Sequence, residues 1–225
     1  MRTGLATGTG VFFYGRGRDG GRKDGGRTGM GLIFYVLGKS ASGKDTVFKR
    51  ILKAVPEMKK VIPYTTRPIR KGEQDGVEYF FSTEEELKRL KEENKVIEMR
   101  TYQTVLGPWS YATVQDGQID LLHHNYLMIG TLESYQNTRA YFGKEKVIPF
   151  YLEVGDRERL ERAMERERQQ KEPRYTEVYR RFKADKTDFC KEKLRLAEIG
   201  KWYENTDLEK CLKEILDEIH HYVSI

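Results

Sequence analysis

The sequence predicts an α/β fold: a parallel sheet core with helices on its faces. Three observations predict it. Short apolar runs fit for buried strands alternate with segments of helical periodicity. The first of those runs enters a glycine-bearing loop that opens directly into an amphipathic helix. The 225 residues, 38% hydrophobic and 34% charged, suffice for one well-buried domain with a sub-domain and exclude a wholly disordered chain. No apolar run reaches the length of a membrane span. Cys190 and Cys211 are too few for a disulfide framework and match no metal spacing, so a reduced, cytoplasmic compartment is expected.

Each element has its own justification. Residues 32–37 form an apolar run suited to a strand covered on both faces. Residues 45–54 carry Val47, Phe48, Ile51 and Leu52 at helical spacing, and a second short strand is expected at 59–62. Residues 77–81 read as strand, 83–93 as a charged helix and 96–102 as strand. Another strand, about 109–114, is closed by an Asp116-Gly117 turn. Buried-strand character returns at 126–129 and 147–152, on either side of a helical stretch at 132–142. Residues 157–196 are highly charged and helical, interrupted near Pro173. The final stretch, 207–222, is an amphipathic helix burying Leu208, Cys211, Leu212, Ile215, Leu216 and Ile219. No internal repeat is visible.

Charge is unevenly spread. Residues 1–29 hold ten of the 21 glycines and six Lys or Arg against Asp19 and Asp24, so +4 of the net +6 lies there. Such a segment cannot bury enough apolar surface to offset its ordering entropy and is expected to be disordered. An RGG-like arm for nucleic acid is one reading. A leader, or translation begun upstream of a start at Met30, is the preferred one, since Met30-Gly31-Leu32-Ile33-Phe34 reads as the ordinary opening of a first strand; the segment also lacks signal-peptide and transit-peptide character.

The chemistry begins after the first strand, at Gly38-Lys39-Ser40-Ala41-Ser42-Gly43-Lys44-Asp45-Thr46. The frame Gly-x4-Gly-Lys between strand and helix is that of a phosphate-binding P-loop. Its backbone N–H groups converge on phosphate, the helix N-terminus adds its positive dipole end, and Lys44 supplies a mobile charge to the β- and γ-phosphates. The hydroxyl that usually follows the lysine and helps hold Mg²⁺ is replaced by Asp45. Either Thr46 supplies the hydroxyl or Asp45 meets the ion through water; Asp45 as a plain first-turn anion is the simpler alternative. Further on, Arg67 and Arg70, three apart around Pro68, could fork one phosphate, although an isolated pair of this kind is as readily a solvated loop.

The whole string from Thr65 to Tyr79, Thr-Thr-Arg-x-x-Arg-x-Gly-Glu-x-x-Gly-x-x-Tyr, closely resembles the signature of the guanylate kinase family, and with the P-loop upstream the resemblance covers residues 30–222. It implies a P-loop NTPase three-layer fold with a core at 30–63 and 115–222, a mixed α/β monophosphate-binding sub-domain at 64–114, and a helical lid at about 162–182. It implies transfer of the γ-phosphoryl of ATP onto GMP or dGMP with Mg²⁺. By the same resemblance Arg67, Arg70 and Tyr79 would hold the acceptor's phosphate, and Glu98 would accept from guanine N1–H and N2–H₂. Tyr111 and Thr113 would contact phosphate and base. Arg162, Arg166 and Arg181 would neutralise the transferring phosphoryl, and Asn205 would lie near the adenine of ATP. Arg157, Arg159 and Arg168 read as a solvated helix face with i,i+4 ion pairs.

The chain departs from the family at the strand before residue 132. An Asp-x-Asp that contributes to guanine contact and to the metal environment is absent, Met128 and Gly130 standing there, and Pro63 replaces a phosphate-contacting serine. The departures bear on GMP specificity and on the Mg²⁺ arrangement. His123 and His124 lack metal-ligand spacing. Two competing functions follow: a kinase of this fold acting on another nucleotide or a phosphorylated sugar, and a non-catalytic interaction module, which retention of Lys44 disfavours. Because residues 30–225 carry only +2, the expected polyanion is a pair of nucleotides in a cleft and not a nucleic-acid strand. The chain is expected to be a monomer or a homodimer.

Overall fold

In the computed structural model, which describes residues 30–70, 72–104 and 107–223, strand β1 (Ile33–Gly38) is buried along its whole length. Expectations for residues 1–29 lie outside the described residues. β1 is the middle of a five-stranded parallel sheet of order β2-β7-β1-β8-β9, with β2 (Lys59–Lys60), β7 (Tyr126–Gly130), β8 (Val147–Glu153) and β9 (Trp202–Glu204). Its side chains alternate between two cores, as strand geometry demands. Phe34 and Val36 pack with Val47 and Ile51 of α1 (Lys44–Ala54) and with Cys211, Leu212, Ile215 and Ile219 of α7 (Leu208–Val223). Ile33, Tyr35 and Leu37 face Leu132 and Tyr135 of α3 (Leu132–Phe142) and Leu194 of α6 (Lys191–Leu196). Phe34 stacks on Phe150 of β8 at 5.6 Å; burial of each such ring contributes about 1.5–3 kcal/mol.

A second, mixed sheet of order β4-β3-β6-β5 uses β3 (Tyr64–Thr65), β4 (Phe80–Phe81), β5 (Val96–Thr104) and β6 (Gly107–Val114). Leu87 and Leu90 of α2 (Glu84–Glu92) pack with Ala112 and Val114 of this sheet. Thr83 caps α2 by accepting the Glu86 N–H at 3.1 Å, while the Glu86 carboxylate accepts from the Ser82 hydroxyl. The strand expected at 77–81 is only two residues long. The Gly76 N–H donates to the Tyr79 carbonyl and Val77 N–H to Gln74, and these turn bonds hold residues 74–79 out of the ladder. β3 was not expected; it leads into the Thr65–Tyr79 string and pairs with β4 and β6.

The charged region from 157 resolves into α4 (Asp156–Arg168), α5 (Tyr175–Asp188) and α6, the break falling around Pro173 as expected. No helix among the described residues is long and apolar enough to cross a membrane.

Candidate functional site

The P-loop joins β1 to α1 through a backbone that only certain residues allow. Gly43, the residue before α1, has φ +84°, and Ala41 has φ +60°. A Cβ at Gly38 would lie 2.7 Å from Ser42 Oγ and 2.8 Å from the Leu152 carbonyl, so the strand end needs glycine. The loop is braced from behind by Asn205, whose Nδ2 donates to the Ser42 carbonyl at 2.8 Å. A Cβ at Gly43 would run into that amide. Gly43→Ala is therefore expected to lower stability by about 1–3 kcal/mol and to weaken ATP binding, both read from urea unfolding with and without the nucleotide. Among the described residues the buried Ser42 hydroxyl has no hydrogen-bond partner.

Burial pulls the Lys44 ammonium below the ordinary lysine range. Arg166 and Arg181 act in the same direction, while Asp45 and Asp185 oppose. Two of the three arginines expected from the lid thus lie within electrostatic reach of the P-loop lysine. Arg181 Nε donates to Glu177 Oε1 at 2.8 Å, beside a fork from Arg180 to the same carboxylate. The hydrogen bonds from Arg180, then the one from Arg181, hold Glu177 down at about 2 against the opposing effect of burial. Arg162 donates to the Asn205 carbonyl at 2.8 Å and to Glu158 at 2.5 Å.

One cleft of about 380 Å³ brings much of the expected site together. Gly38, Ser40, Lys44 and Asp45 line it from the P-loop, Arg70, Tyr79, Glu98, Tyr111 and Thr113 from the second sheet and its loop, and Arg181 from α5. Tyr79, Tyr111 and Tyr102 form an edge-to-face row with centroids 5.9 Å apart at each step. Lys39, Ala41, Ser42, Gly43, Thr46, Arg67, Arg162, Arg166 and Asn205 do not line this cleft. Arg67 is 4% exposed; its guanidinium forks onto Glu73 at 2.9 and 3.0 Å, donates to the Pro68 carbonyl and lies over the Tyr79 ring. It shapes the 67–73 loop, whose Arg70 N–H also donates to Glu73.

Three residues carry geometry that the motif reading passed over. Arg159, read as a solvated face residue, is 1% exposed. It donates to the Ser40 carbonyl at 2.8 Å, to Asp185 at 3.0 Å and to Asp156 at 2.6 Å, with its guanidinium over the Phe182 ring. That reading is corrected: tertiary partners bury it. Asp185 in turn accepts the Ser40 N–H at 2.9 Å, so a carboxylate from α5 grips the P-loop backbone. Arg100 forks onto Glu98 through Nε at 2.9 Å and Nη2 at 3.3 Å, and its Nη1 donates to Thr131 Oγ1 at 2.8 Å. Glu98 and Arg100 are two apart on a strand and so share a face, which is the one signal in the sequence that pairs them.

Mg²⁺ requires few protein ligands, one or two carboxylates alongside nucleotide phosphates. Asp45, exposed and at the cleft next to Lys44, has the right chemistry, and no group of three or more His, Cys, Asp or Glu among the described residues forms a cage of its own. Thr46, exposed and off the cleft, fits less well.

Strand, glycine loop and helix, set in a parallel sheet with a cleft facing a second sheet, define a P-loop nucleotide-binding α/β protein. A family model described as guanylate kinase matches residues 32–221. The chain belongs to the guanylate kinase family. It is 38% identical over 116 residues to a guanylate kinase of Thermotoga maritima, covering 52% of this chain and 45% of the relative. It is 32% identical over 113 residues to that of Chlorobaculum tepidum, covering 49% and 56%. The matched segments of the curated relatives thus span about half of their length or less. The crystal structure of guanylate kinase from Anaplasma phagocytophilum superposes with a TM-score of 0.61 at 20% identity, covering 86% of each chain, which shows the shared P-loop fold.

Proposed function

We propose that the chain transfers the γ-phosphoryl group of ATP to the phosphate of GMP or dGMP. The observation that carries this reading is the single cleft shared by Lys44 of the P-loop and by Arg70, Tyr79, Tyr111 and Glu98 of the second sheet. Two anionic nucleotides meeting there need their charges neutralised and their reacting oxygens aligned, and positioning with electrostatics suffices for this chemistry. Lys44 and the loop N–H groups take the donor's phosphates. Arg70 and the tyrosine hydroxyls take the acceptor's. Arg181, with Arg162 and Arg166 brought in as α4 and α5 move as a lid over about 162–182, covers the charge that develops between them. Arg67 acts by holding the loop that carries Arg70. In this reading the core spans 30–63 and 115–222 and the acceptor sub-domain 64–114. Asn205 supports the ATP side from behind the loop. Mg²⁺, held through Asp45 and the donor's phosphates, would supply further charge neutralisation. The partners are the nucleotides, and the free thiols Cys190 and Cys211 suit a reduced cytoplasm.

The test is ADP release with ATP, Mg²⁺ and each common nucleoside monophosphate. ADP formed with GMP supports the reading; none with any acceptor overturns it. Glu98→Gln is expected to cut GMP turnover about a hundredfold or more, because the carboxylate is lost from the base subsite. One observation favours the second reading, a different nucleotide or a phosphorylated sugar as acceptor: Glu98 is already engaged by Arg100. An unchanged GMP rate in Glu98→Gln would support it.

A further inference from the structure

A second cavity, of about 400 Å³, lies in the seam between α4 and α5 and shares no lining residue with the nucleotide cleft. Its volume falls within the usual range of small-molecule pockets. Leu160 of α4 and Tyr179 and Phe182 of α5 form its apolar wall. Leu160 and Phe182 are half-buried, and the Tyr179 ring beside them is 60% exposed. Tyr179, Phe182, Lys183 and Lys186 recur three and four residues apart, so they share one face of α5. Glu177, Arg181 and Asp185 line the nucleotide cleft from another face of the same helix. The charges at the rim of the seam are not balanced within the protein. Asp156 accepts from Arg159 at 2.6 Å and Arg157 donates to Glu161 at 3.0 Å. Lys183 and Lys186 are exposed and make no hydrogen bond or ion pair with any described residue. An apolar wall with two cations along one edge matches an aromatic ring that carries an anionic group. The ring packs on Tyr179 and Phe182, and the anion sits between two lysines close enough to share it.

We propose that the α4–α5 seam is an effector site for a small aromatic phosphate, and that its occupancy tightens ATP binding through Arg159. Two residues of the seam are also contacts of the brace behind the P-loop. The Arg159 guanidinium lies 4.5 Å from the Phe182 ring centroid and donates to Asp156, and it also donates to the Ser40 carbonyl. A ligand packed on Phe182 restricts that ring, and with it the guanidinium that orders Ser40. ATP then meets a loop already partly ordered and gives up less freedom on binding, which is positive coupling without a change of shape. The inference is independent of which acceptor the cleft takes and requires only that ATP binds at the P-loop.

The test uses naphthyl phosphate as the probe, with inorganic phosphate and naphthol as its two halves, in calorimetric titrations of the full chain. The chain carries Arg70→Ala, so that the acceptor subsite of the cleft does not compete for the probe. Naphthyl phosphate is expected to bind more tightly than either half. Lys183→Ala combined with Lys186→Ala is expected to weaken it at least about fivefold, the order expected for exposed ionic contacts. Tyr179→Ala is expected to weaken it by about as much through the lost ring contact. All three side chains are exposed, so the melting temperatures of these variants should stay at the parent's. At saturating probe, ATP affinity is expected to rise about fivefold or more, the lower end of ordinary coupling factors, and the rise to vanish in the double lysine variant. By linkage, saturating ATP must tighten the probe by the same factor. No binding of the probe, a half that binds as tightly as the whole, or an affinity unmoved in both variants overturns the site. An ATP affinity unmoved or lowered by bound probe overturns the effector role. If ATP does not bind at all, the coupling and the kinase reading fail together.

Discussion

Lys44→Met is expected to reduce phosphoryl transfer by about a thousandfold or more while the melting temperature holds or rises. The kinetic effect follows from losing a cation aimed at the oxygens where charge develops, in a cleft where water competes poorly. The stability effect follows from the lysine's own cost. Lys44 is half-buried and its pKa is drawn down, chiefly by desolvation. Between that lowered folded value and the ordinary value of 10.5, the unfolded chain holds a proton that the folded chain has released. The desolvation cost is therefore full below the folded pKa and is relieved as pH rises from that value towards 10.5. Methionine fills similar volume without the charge and removes the cost, so the rise of stability with pH assigned to Lys44 should disappear. ADP release at saturating ATP and thermal unfolding across alkaline pH measure the two effects. A variant with more than a tenth of the wild-type rate would remove Lys44 from the proposed chemistry.

Much of this site is legible in the sequence because its parts are local. Gly-x4-Gly-Lys is contiguous, and its flanks, an apolar run and a helix with Val47 and Ile51 inward, state their own context. The terminal helix is read from periodicity, since it buries a single face. What escaped the reading is non-local or short. β3 has two residues and exists because β4 and β6 pair with it, an attribute that no window around Tyr64 contains. Arg159 sits in a run of alternating charges that looks solvated, yet its partners are Ser40, 119 residues away, and Asp185, 26 away. Arg67 carries the family motif but spends its fork on Glu73, six residues on, so the motif names the loop correctly and leaves open which arginine faces the cleft. Arg100 lies outside every motif. Only the two-residue spacing to Glu98, read as strand geometry, connects it to the base subsite.

Arg159→Met carries the largest expected loss of stability, about 3–5 kcal/mol, because it leaves buried partners behind. Asp185, 10% exposed at its side chain, would keep its charge without the opposing guanidinium, and the Ser40 carbonyl would lose its donor. The Arg159 Nε–H already lacks a partner among the described residues, so the native pair carries a desolvation cost from the outset. Adding Asp185→Leu to Arg159→Met removes the orphaned charge and is expected to return a good part of the stability, since an apolar replacement of a buried ion pair is often neutral or better. It should not return function. Asp185 holds the Ser40 N–H and hydroxyl, and Arg159 the carbonyl of the same residue, so the two side chains fix the peptides on either side of Ser40 in the phosphate loop. The double variant is therefore expected to unfold near the wild-type temperature while ATP affinity stays at least about tenfold weaker, the loss expected when one charge-assisted contact no longer orders the loop. For a chain of this size the single variant's loss corresponds to a drop of roughly 6–20 °C. Thermal unfolding of the wild type, both single variants and the double variant closes the cycle, and ATP-induced stabilisation of each gives the functional half. A single Arg159→Met variant melting within 2 °C of the wild type, on the order of the shift for under 1 kcal/mol, would mean that the buried guanidinium does not hold α5 to the P-loop.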